Sequence, residues 1–240
     1  MELVPQHRAL FGVDVVGSAR NPGYHLDAVR RTLDAALERA LAERGIEREE
    51  VLARESTGDG ALLTLPSGRL GALFDVAHSL ENLLADWNRR NKPEVRLRIA
   101  VEVGPVGDEP GFYAAKVTLG RLLDASAFKE LFERCLGEQG PDGASTALIV
   151  SDHAWRTAFG GDHTRVVRQG EFSPLSVRDK EYADTAWVRI PGFDPRTATG
   201  PARPEPRPTG RGGVVNQVNG TMSGIQAGDV YGGITFGTQR

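Results

Sequence analysis

Two aspartates in different kinds of segment are the residues of this chain best suited to chemistry. Asp14 lies within an apolar run, FGVDVV, that leads into Gly17-Ser18, and Asp59 lies in the turn TGDG between two strand-like runs. Carboxylates are hard oxygen ligands, which suit Mg²⁺ or Mn²⁺ held jointly with substrate phosphates. Two of them can hold a pair of divalent cations over a nucleoside triphosphate, where such cations activate an attacking hydroxyl and neutralise a leaving pyrophosphate.

Hydrophobic periodicity predicts the elements that must position this pair. The predicted order is a strand at 9–17, a helix at 24–44, strands at 51–56 and 61–65 around the Gly-Asp-Gly turn, a helix at 69–89 and a strand at 94–103. That order is the split-βαβ, ferredoxin-like unit. The fold class is therefore α+β, with a sheet that contains antiparallel strands and helices on one face.

In this topology the first and second strands run parallel and are joined by a right-handed crossover. The end of the first strand and the hairpin after the second then lie at one edge of the sheet, and Asp14 and Asp59 are near those two points. Each aspartate also has a structural interpretation, Asp59 as a turn residue and Asp14 as a helix cap. Singly, those are the commoner interpretations; as a pair at one edge, the two residues favour a metal site.

The backbone that follows Asp14 is a second candidate binding element. Val15, Val16, Gly17 and Ser18 pass toward the predicted helix start, where unpaired N–H groups suit a phosphate. Together with the two carboxylates, this stretch predicts a nucleotide-binding edge.

The rest of the chain divides by composition. Residues 1–191 alternate periodic apolar segments with polar breaks, 192–213 form a linker rich in Pro, Gly and Arg, and 214–240 form a Gly-rich, β-branched tail. Within the globular part, the remaining predictions are a helix at about 115–135, a strand at 146–150, a short helix after Ser151-Asp152, and strands near 164–168, 174–178 and 185–190.

Charge and composition exclude several classes of partner. The 240 residues carry a formal net charge of −3 and have a pI of about 6.0, without the basic stripe of a nucleic-acid binder. The single Cys135 rules out an internal disulfide framework. No secretory signal and no apolar run of about 18 residues is visible, so we expect a cytoplasmic protein without a membrane partner.

Four segments, taken in order, resemble a known family. They are FGVDVVGS, RESTGDGALLTLP, VRLRIAVEVGPV and VTLGRLLDAS, and together they look like the class III nucleotidyl cyclase catalytic domain over roughly residues 8–190. The resemblance is closest to divergent bacterial, often actinobacterial, cyclases related to the pyrimidine cyclases of anti-phage Pycsar systems. It implies an enzyme of intracellular signalling, plausible in anti-phage defence, that works as a homodimer. The implied reaction is attack of the ribose 3′-oxygen on the α-phosphate of a nucleoside triphosphate, giving a 3′,5′-cyclic nucleotide and pyrophosphate.

The resemblance assigns roles at the turn. Asp14 and Asp59 match the family's two metal-binding aspartates, which implies two divalent cations, Mg²⁺ or Mn²⁺, as cofactors. Glu55 falls where the family places a base-selecting side chain, and Gly58 counts with it among the nucleotide-binding residues. A carboxylate at Glu55 argues against simple adenine recognition; the alternative is a solvated strand residue beside Arg54.

Further along the chain the correspondence is looser. Arg121 matches the arginine that stabilises charge at the α-phosphate, supplied in the dimer by the other chain, although a surface helix arginine is the alternative. Lys180 matches a lysine that contacts the triphosphate. Val117 stands where the family usually has Asn, four residues before the arginine. This departure favours a second interpretation, a catalytically degenerate cyclase-like module that binds a nucleotide and acts through its tail.

The tail has a pattern of its own. Short β-prone pieces, Asn and Gln side chains and very low charge favour stacking in register across chains. The Ile225-Gln226-Ala227-Gly228 core resembles RHIM-like bacterial amyloid signalling motifs, which implies a partner protein with a matching motif. The alternatives are a flexible Gly-rich tail or strands that dock on the domain.

Overall fold

The computed structural model of the chain describes residues 5–18, 23–107, 113–140, 143–179 and 182–194. The tail at 214–240, Lys180 and all but the first three residues of the linker lie outside the described residues, so the predictions made for them stay predictions. Over the described ranges, no helix combines the length and apolar character needed to cross a lipid bilayer.

Seven strands within the described residues form one mixed sheet in the order β2-β3-β1-β4-β5-β7-β6. The strands are β1 Gln6–Val15, β2 Ala53–Ser56, β3 Ala61–Pro66, β4 Leu97–Val106, β5 Thr146–Ser151, β6 Ser173–Asp179 and β7 Tyr182–Arg189. The α-helices of the same ranges are α1 Gly23–Glu43, α2 Leu70–Arg90, α3 Ala114–Asp124, α4 Ser126–Gln139 and α5 Asp152–Gly160. Neighbouring strands are antiparallel, except that β4 and β5 run parallel.

The first part of the sheet confirms the ferredoxin-like prediction. Strand β1 lies between β3 and β4 and is antiparallel to both, and β2 is antiparallel to β3. Strands β1 and β2 therefore run in the same direction with β3 between them, which is the split-βαβ arrangement. Helices α1 and α2 are the two connections of this unit.

Helices cover both faces of the sheet, which corrects the expectation of helices on one face. Phe11 packs in a core cluster with Leu37 of α1 and Phe74 of α2. Its neighbour Leu10 belongs to a second cluster, with Leu119 of α3 and Phe128 of α4. Because successive side chains of a strand point to opposite faces, the central strand β1 is buried on both sides. Its near-continuous apolar run, rather than an alternating pattern, is the sequence signal for this.

The helix predicted at about 115–135 is two helices. Ala125 separates α3 from α4 and has φ −54° and ψ 119°, outside the helical region. No Gly or Pro marks the break. Leu122, Ala125 and Phe128 are all buried in the same cluster, so the change of direction keeps the apolar stripes of both helices against the sheet. Cys135, on α4, is a buried free thiol.

The strand predicted near 164–168 is wrong. The backbone N–H groups of Arg165, Val166 and Val167 donate instead to the carboxylate of Asp75 on α2, at 2.8, 3.0 and 3.0 Å. A buried carboxylate that accepts three N–H groups takes the place of a partner strand, since buried backbone donors must be paired. The segment is therefore an irregular loop joined to α2.

Candidate functional site

The end of β1 and the turn between β2 and β3 meet at one edge of the sheet. In the β1–β3 register Val13 lies opposite Ala61. A Cβ atom placed on Gly60 would lie only 2.0 Å from the carbonyl oxygen of Val13, so the two backbones are in direct contact there. Asp14 follows Val13 and Asp59 precedes Gly60, and the structure therefore brings together the two carboxylates that the sequence analysis singled out.

Asp59 lies close enough to Asp14 for its charge to act on the Asp14 carboxyl. Burial is the main cause that raises the pKa of Asp14, and the negative charge of Asp59 raises it further. The guanidinium of Arg98 acts in the opposite direction, through its charge and its hydrogen bonds. A carboxylate whose pKa is raised by burial and by a neighbouring negative charge is a ligand that a divalent cation can stabilise.

Arg98 is the residue at this site that the sequence analysis missed. It lies opposite Asp14 in the β1–β4 register. Its Nε donates to Asp14 Oδ2 at 2.9 Å, and its Nη2 donates to the same oxygen. The two side chains are 15% and 22% exposed, so the pair is largely shielded from water. The available signal was an arginine on the face of β4 opposite the apolar positions Leu97, Ile99 and Val101.

Asp59 has a partner of its own in the segment after β1. The hydroxyl of Ser18 donates to Asp59 Oδ2, across 41 positions of sequence. This contact joins the predicted phosphate-binding stretch to the predicted metal-binding turn. Gly17 and Gly58, with φ of 70° and 91°, adopt the left-handed backbone that each bend requires.

One of the backbone donors expected to bind a phosphate is already engaged. The N–H of Val16 donates to the carbonyl oxygen of Arg96 at 2.9 Å. The N–H of Val16 therefore extends the pairing between β1 and β4. Of the N–H groups at 15–18 that were expected to bind a phosphate, that of Val16 is therefore not free.

A cavity of about 380 Å³ lies beside the turn. Its lining residues are Val15, Ser18, Leu26, Asp27, Val29, Arg30, Gly58 and Asp59. Since Val15 faces this cavity and side chains alternate along a strand, Asp14 lies toward the other face of β1, beside Arg98. Asp59 lines the cavity and lies close enough to Asp14 for its charge to act on that carboxyl.

The side chain of Glu55 is in an ion pair. Lys116 of α3 donates to Glu55 Oε1 at 2.6 Å, and the two side chains are 16% and 50% exposed. The pair joins α3 to the edge strand β2. Val117 follows Lys116 and is half-buried, with its N–H donating to the carbonyl oxygen of Tyr113 at 3.0 Å.

Arg121 lies on the outer side of α3. A Cβ atom on Gly12 of β1 would meet Leu119 and Leu123 at 3.1 and 2.9 Å, so these leucines form the sheet-facing side of the helix. Arg121 lies between them in sequence and is exposed. The structure thus presents this arginine away from its own sheet.

Asp14 and Asp59 are suitable ligands for divalent cations, but the site offers only two carboxylates. Within the described ranges, no group of three or more His, Cys, Asp or Glu side chains comes together as a metal site. Mg²⁺ bound with a nucleotide, however, uses one or two carboxylates and completes its ligands with phosphate oxygens and water. Asp14 and Asp59 supply that number.

The similarity to known proteins lies in the fold. A search of solved structures gives an adenylate/guanylate cyclase/hydrolase from Silicibacter pomeroyi, 17% identical, with a TM-score of 0.52 over 78% of this chain and 97% of that one. It also gives a bacterial light-regulated adenylyl cyclase, 15% identical, with a TM-score of 0.53 over 82% of this chain and 57% of that one. No protein-family model matches the sequence, and no curated protein matches it significantly. The chain has the fold of class III adenylate/guanylate cyclase domains.

Proposed function

We propose that this protein is a nucleotidyl cyclase, which converts a nucleoside triphosphate into a 3′,5′-cyclic nucleotide and pyrophosphate. The observation that carries the proposal is the meeting of Asp14 and Asp59 at one edge of a sheet with the cyclase fold. In the reaction the ribose 3′-oxygen bonds to the α-phosphorus, the bond from that phosphorus to the bridging oxygen of pyrophosphate breaks, and the hydroxyl proton leaves to solvent.

Asp14 and Asp59 are the side chains that would hold two divalent cations, Mg²⁺ or Mn²⁺. Such cations, when bound, activate the hydroxyl and neutralise charge on the pyrophosphate. The hydroxyl of Ser18 orients the Asp59 carboxylate through its hydrogen bond. The protein contributes orientation and charge stabilisation rather than covalent chemistry.

Arg98 adds a positive charge beside the carboxylate of Asp14. Its guanidinium has five N–H donors and uses Nε and Nη2 on Asp14. A planar guanidinium of this kind suits phosphate oxygens. We propose that Arg98 binds the triphosphate where that group meets the Asp14 side of the site. Lys180 remains a candidate for a second phosphate contact.

We further propose that the active form is a homodimer in which Arg121 serves the site of the partner chain. Arg121 is exposed on the side of α3 that faces away from its own sheet, which suits a contact in trans. A closed twofold assembly would place each arginine at the other site and give two identical sites per dimer.

Mass detection of products tests the activity directly. The full chain is incubated with each of the four ribonucleoside triphosphates and Mn²⁺, and we expect a cyclic nucleotide and pyrophosphate from at least one of them. Asp59→Ala removes the product, whereas Asp86→Ala, which changes an exposed aspartate of α2, retains it. A wild-type chain that binds a triphosphate but yields no product would instead be the degenerate nucleotide-binding module.

The tail supplies the proposed regulation. We propose that a sensor with a matching amyloid motif templates residues 214–240, which concentrates the cyclase domains and promotes their dimerisation. Deleting residues 214–240 should leave turnover of the purified protein intact and abolish activation in cells. Loss of turnover by the purified truncated protein would count against this arrangement.

We also propose a role in anti-phage defence, on the basis of the resemblance to the Pycsar-related cyclases. Cells that express the wild-type chain should resist phage infection, and cells that express Asp59→Ala should not, at equal protein levels. Equal protection by both would separate any defence role from cyclic-nucleotide synthesis.

A further inference from the structure

Arg30 of α1 reaches across to the turn that carries Asp59. Its Nη1 donates to the carbonyl oxygen of Gly58, and its Nη2 donates to Ser56 Oγ at 2.7 Å. These acceptors lie at the last residue of β2 and at the residue immediately before Asp59. We infer that Arg30 is a positioning residue for Asp59, an inference that rests on the proposed function of that carboxylate.

The contacts among the residues of the turn are few. Asp59 is flanked by two glycines, and Gly58 has a φ of 91°. Across the turn, the N–H of Thr57 donates to the carbonyl oxygen of Gly60 at 3.2 Å. Glycine restricts the backbone less than any other residue. A Gly-Asp-Gly turn therefore adopts a single conformation only when contacts with other elements hold it there.

The guanidinium of Arg30 provides such a contact through its two hydrogen bonds. A planar guanidinium can donate to two acceptors at fixed geometry, so it fixes the direction of the Gly58 carbonyl relative to Ser56. That carbonyl belongs to the peptide unit that leads into Asp59. The direction in which the Asp59 side chain leaves the turn therefore depends on the Arg30 contact as well as on the hydrogen bond from Ser18.

Arg30 is itself oriented from within α1 and from β2. Its Nε lies 4.0 Å from Asp34 Oδ2, one helical turn further on. Asp34 in turn accepts a hydrogen bond from Arg54 of β2. Asp34 thus connects the two arginines, Arg30 and Arg54, that link α1 and the edge strand β2 beside the turn.

Mn²⁺ binding in the absence of nucleotide separates this role from a contribution to turnover. Isothermal titration of the full chain with Mn²⁺ alone should give an apparent Kd that is about tenfold higher for Arg30→Ala, as for other residues that support a metal ligand. The matched control is Arg31→Ala. Arg31 is the adjacent exposed arginine of α1 and makes no hydrogen bond or ion pair in the part of the chain that the structure describes, so its Kd stays within about twofold of the wild type.

Ser56→Ala gives a second readout that general loss of stability would not produce. It removes one of the two acceptors and should raise the Kd for Mn²⁺ about threefold in the wild-type background. In the Arg30→Ala background it should have no further effect, because the bond is already absent. Independent, additive effects of the two substitutions would overturn the inference, and so would equal Kd values for Arg30→Ala and Arg31→Ala.

The same titration distinguishes this inference from the proposed function. If the wild type binds Mn²⁺ no more tightly than Asp59→Ala, then the proposed metal site fails, and the inference fails with it. If Asp59→Ala loses binding while Arg30→Ala keeps it, only the role of Arg30 is rejected. Circular dichroism and thermal unfolding check that each variant is folded. If Arg30→Ala unfolds, the comparison of Ser56→Ala with the control Ser67→Ala, which changes an exposed serine, tests the inference instead.

Discussion

Gly60 and Val13 are in backbone contact: a Cβ atom on Gly60 would lie 2.0 Å from the Val13 carbonyl oxygen. The contact joins the Asp59 turn to the end of β1, where Asp14 follows. It explains why a glycine is required after Asp59, since the obstacle is a backbone atom of a central strand that cannot move aside. The spacing of the two carboxylates therefore depends on this close approach as well as on the contacts of Ser18 and Arg30 with the turn.

Gly60→Ala should separate the carboxylates. We expect the substitution to reduce the free energy of unfolding by about 1–3 kcal/mol, as overpacking does elsewhere, and to remove the proposed cyclase activity. Gly68→Ala is the control, because nothing lies within 4 Å of a Cβ atom there. Chemical denaturation and the cyclic-nucleotide assay measure the two effects; wild-type behaviour of Gly60→Ala would contradict the close approach.

Arg98→Met should change cation and nucleotide binding in opposite directions. In the proposed metal site Arg98 would compete with a cation for Asp14 Oδ2, so its removal should tighten Mn²⁺ binding and increase the rise of the melting temperature on adding Mn²⁺. The loss of a charged donor should raise the KM for the triphosphate about tenfold or more. Arg90→Met, an exposed arginine of α2, serves as control. An unchanged KM would exclude Arg98 from phosphate binding.

Mixing two inactive variants tests the shared site. Asp59→Ala and Arg121→Ala should each be inactive alone, while a mixture that exchanges subunits should recover activity. Half of the dimers are then mixed, and each mixed dimer has one intact site of two, so recovery approaches about a quarter of the wild-type activity. Light scattering confirms that both variants remain dimeric. No recovery from folded, exchanging dimers would place Arg121 outside the site.

Glu102 should make stability depend on pH. Burial raises the pKa of this β4 carboxyl; hydrogen bonds from the Val103 N–H and the Ser151 hydroxyl oppose the shift, and Asp184 adds to it. The folded protein therefore holds this proton more tightly than the unfolded chain, whose carboxyl has its usual pKa of 4.5. The resulting stability is fully present below pH 4.5 and is lost as the pH rises through the folded pKa.

Glu102→Gln measures that loss. The Glu102 Oε1 atom accepts both hydrogen bonds, from the Val103 N–H and from the Ser151 hydroxyl, and glutamine retains this oxygen. The variant lacks the titration, so its stability relative to the wild type should increase between pH 4 and pH 8, by about 1.4 kcal/mol for each unit of pKa difference. Urea unfolding at several pH values gives the difference, with Glu130→Gln, on the exposed side of α4, as control. A constant difference across this range would contradict the prediction.

The ferredoxin-like unit was predictable because its signals are local. The helical spacing of Leu33, Leu37 and Leu41 marks α1, and the Gly-Asp-Gly turn marks the hairpin. The mispredicted segments have causes that are distant in sequence. The loop near 164–168 is organised by Asp75, about 90 positions earlier, and the break at Ala125 follows from packing two apolar stripes on one sheet.

The sequence by itself identified the two acidic residues, the elements that carry them and their placement at a common edge of the sheet. It could do so because hydrophobic periodicity and turn-forming residues are encoded within a few positions of the chain. The partners of those groups emerged from folding. Arg98 faces Asp14 through strand register, Ser18 reaches Asp59, and Arg30 holds the Gly58 carbonyl. Contacts of this kind join positions 28 to 84 residues apart, and their geometry depends on how strands and helices pack, which local patterns do not specify.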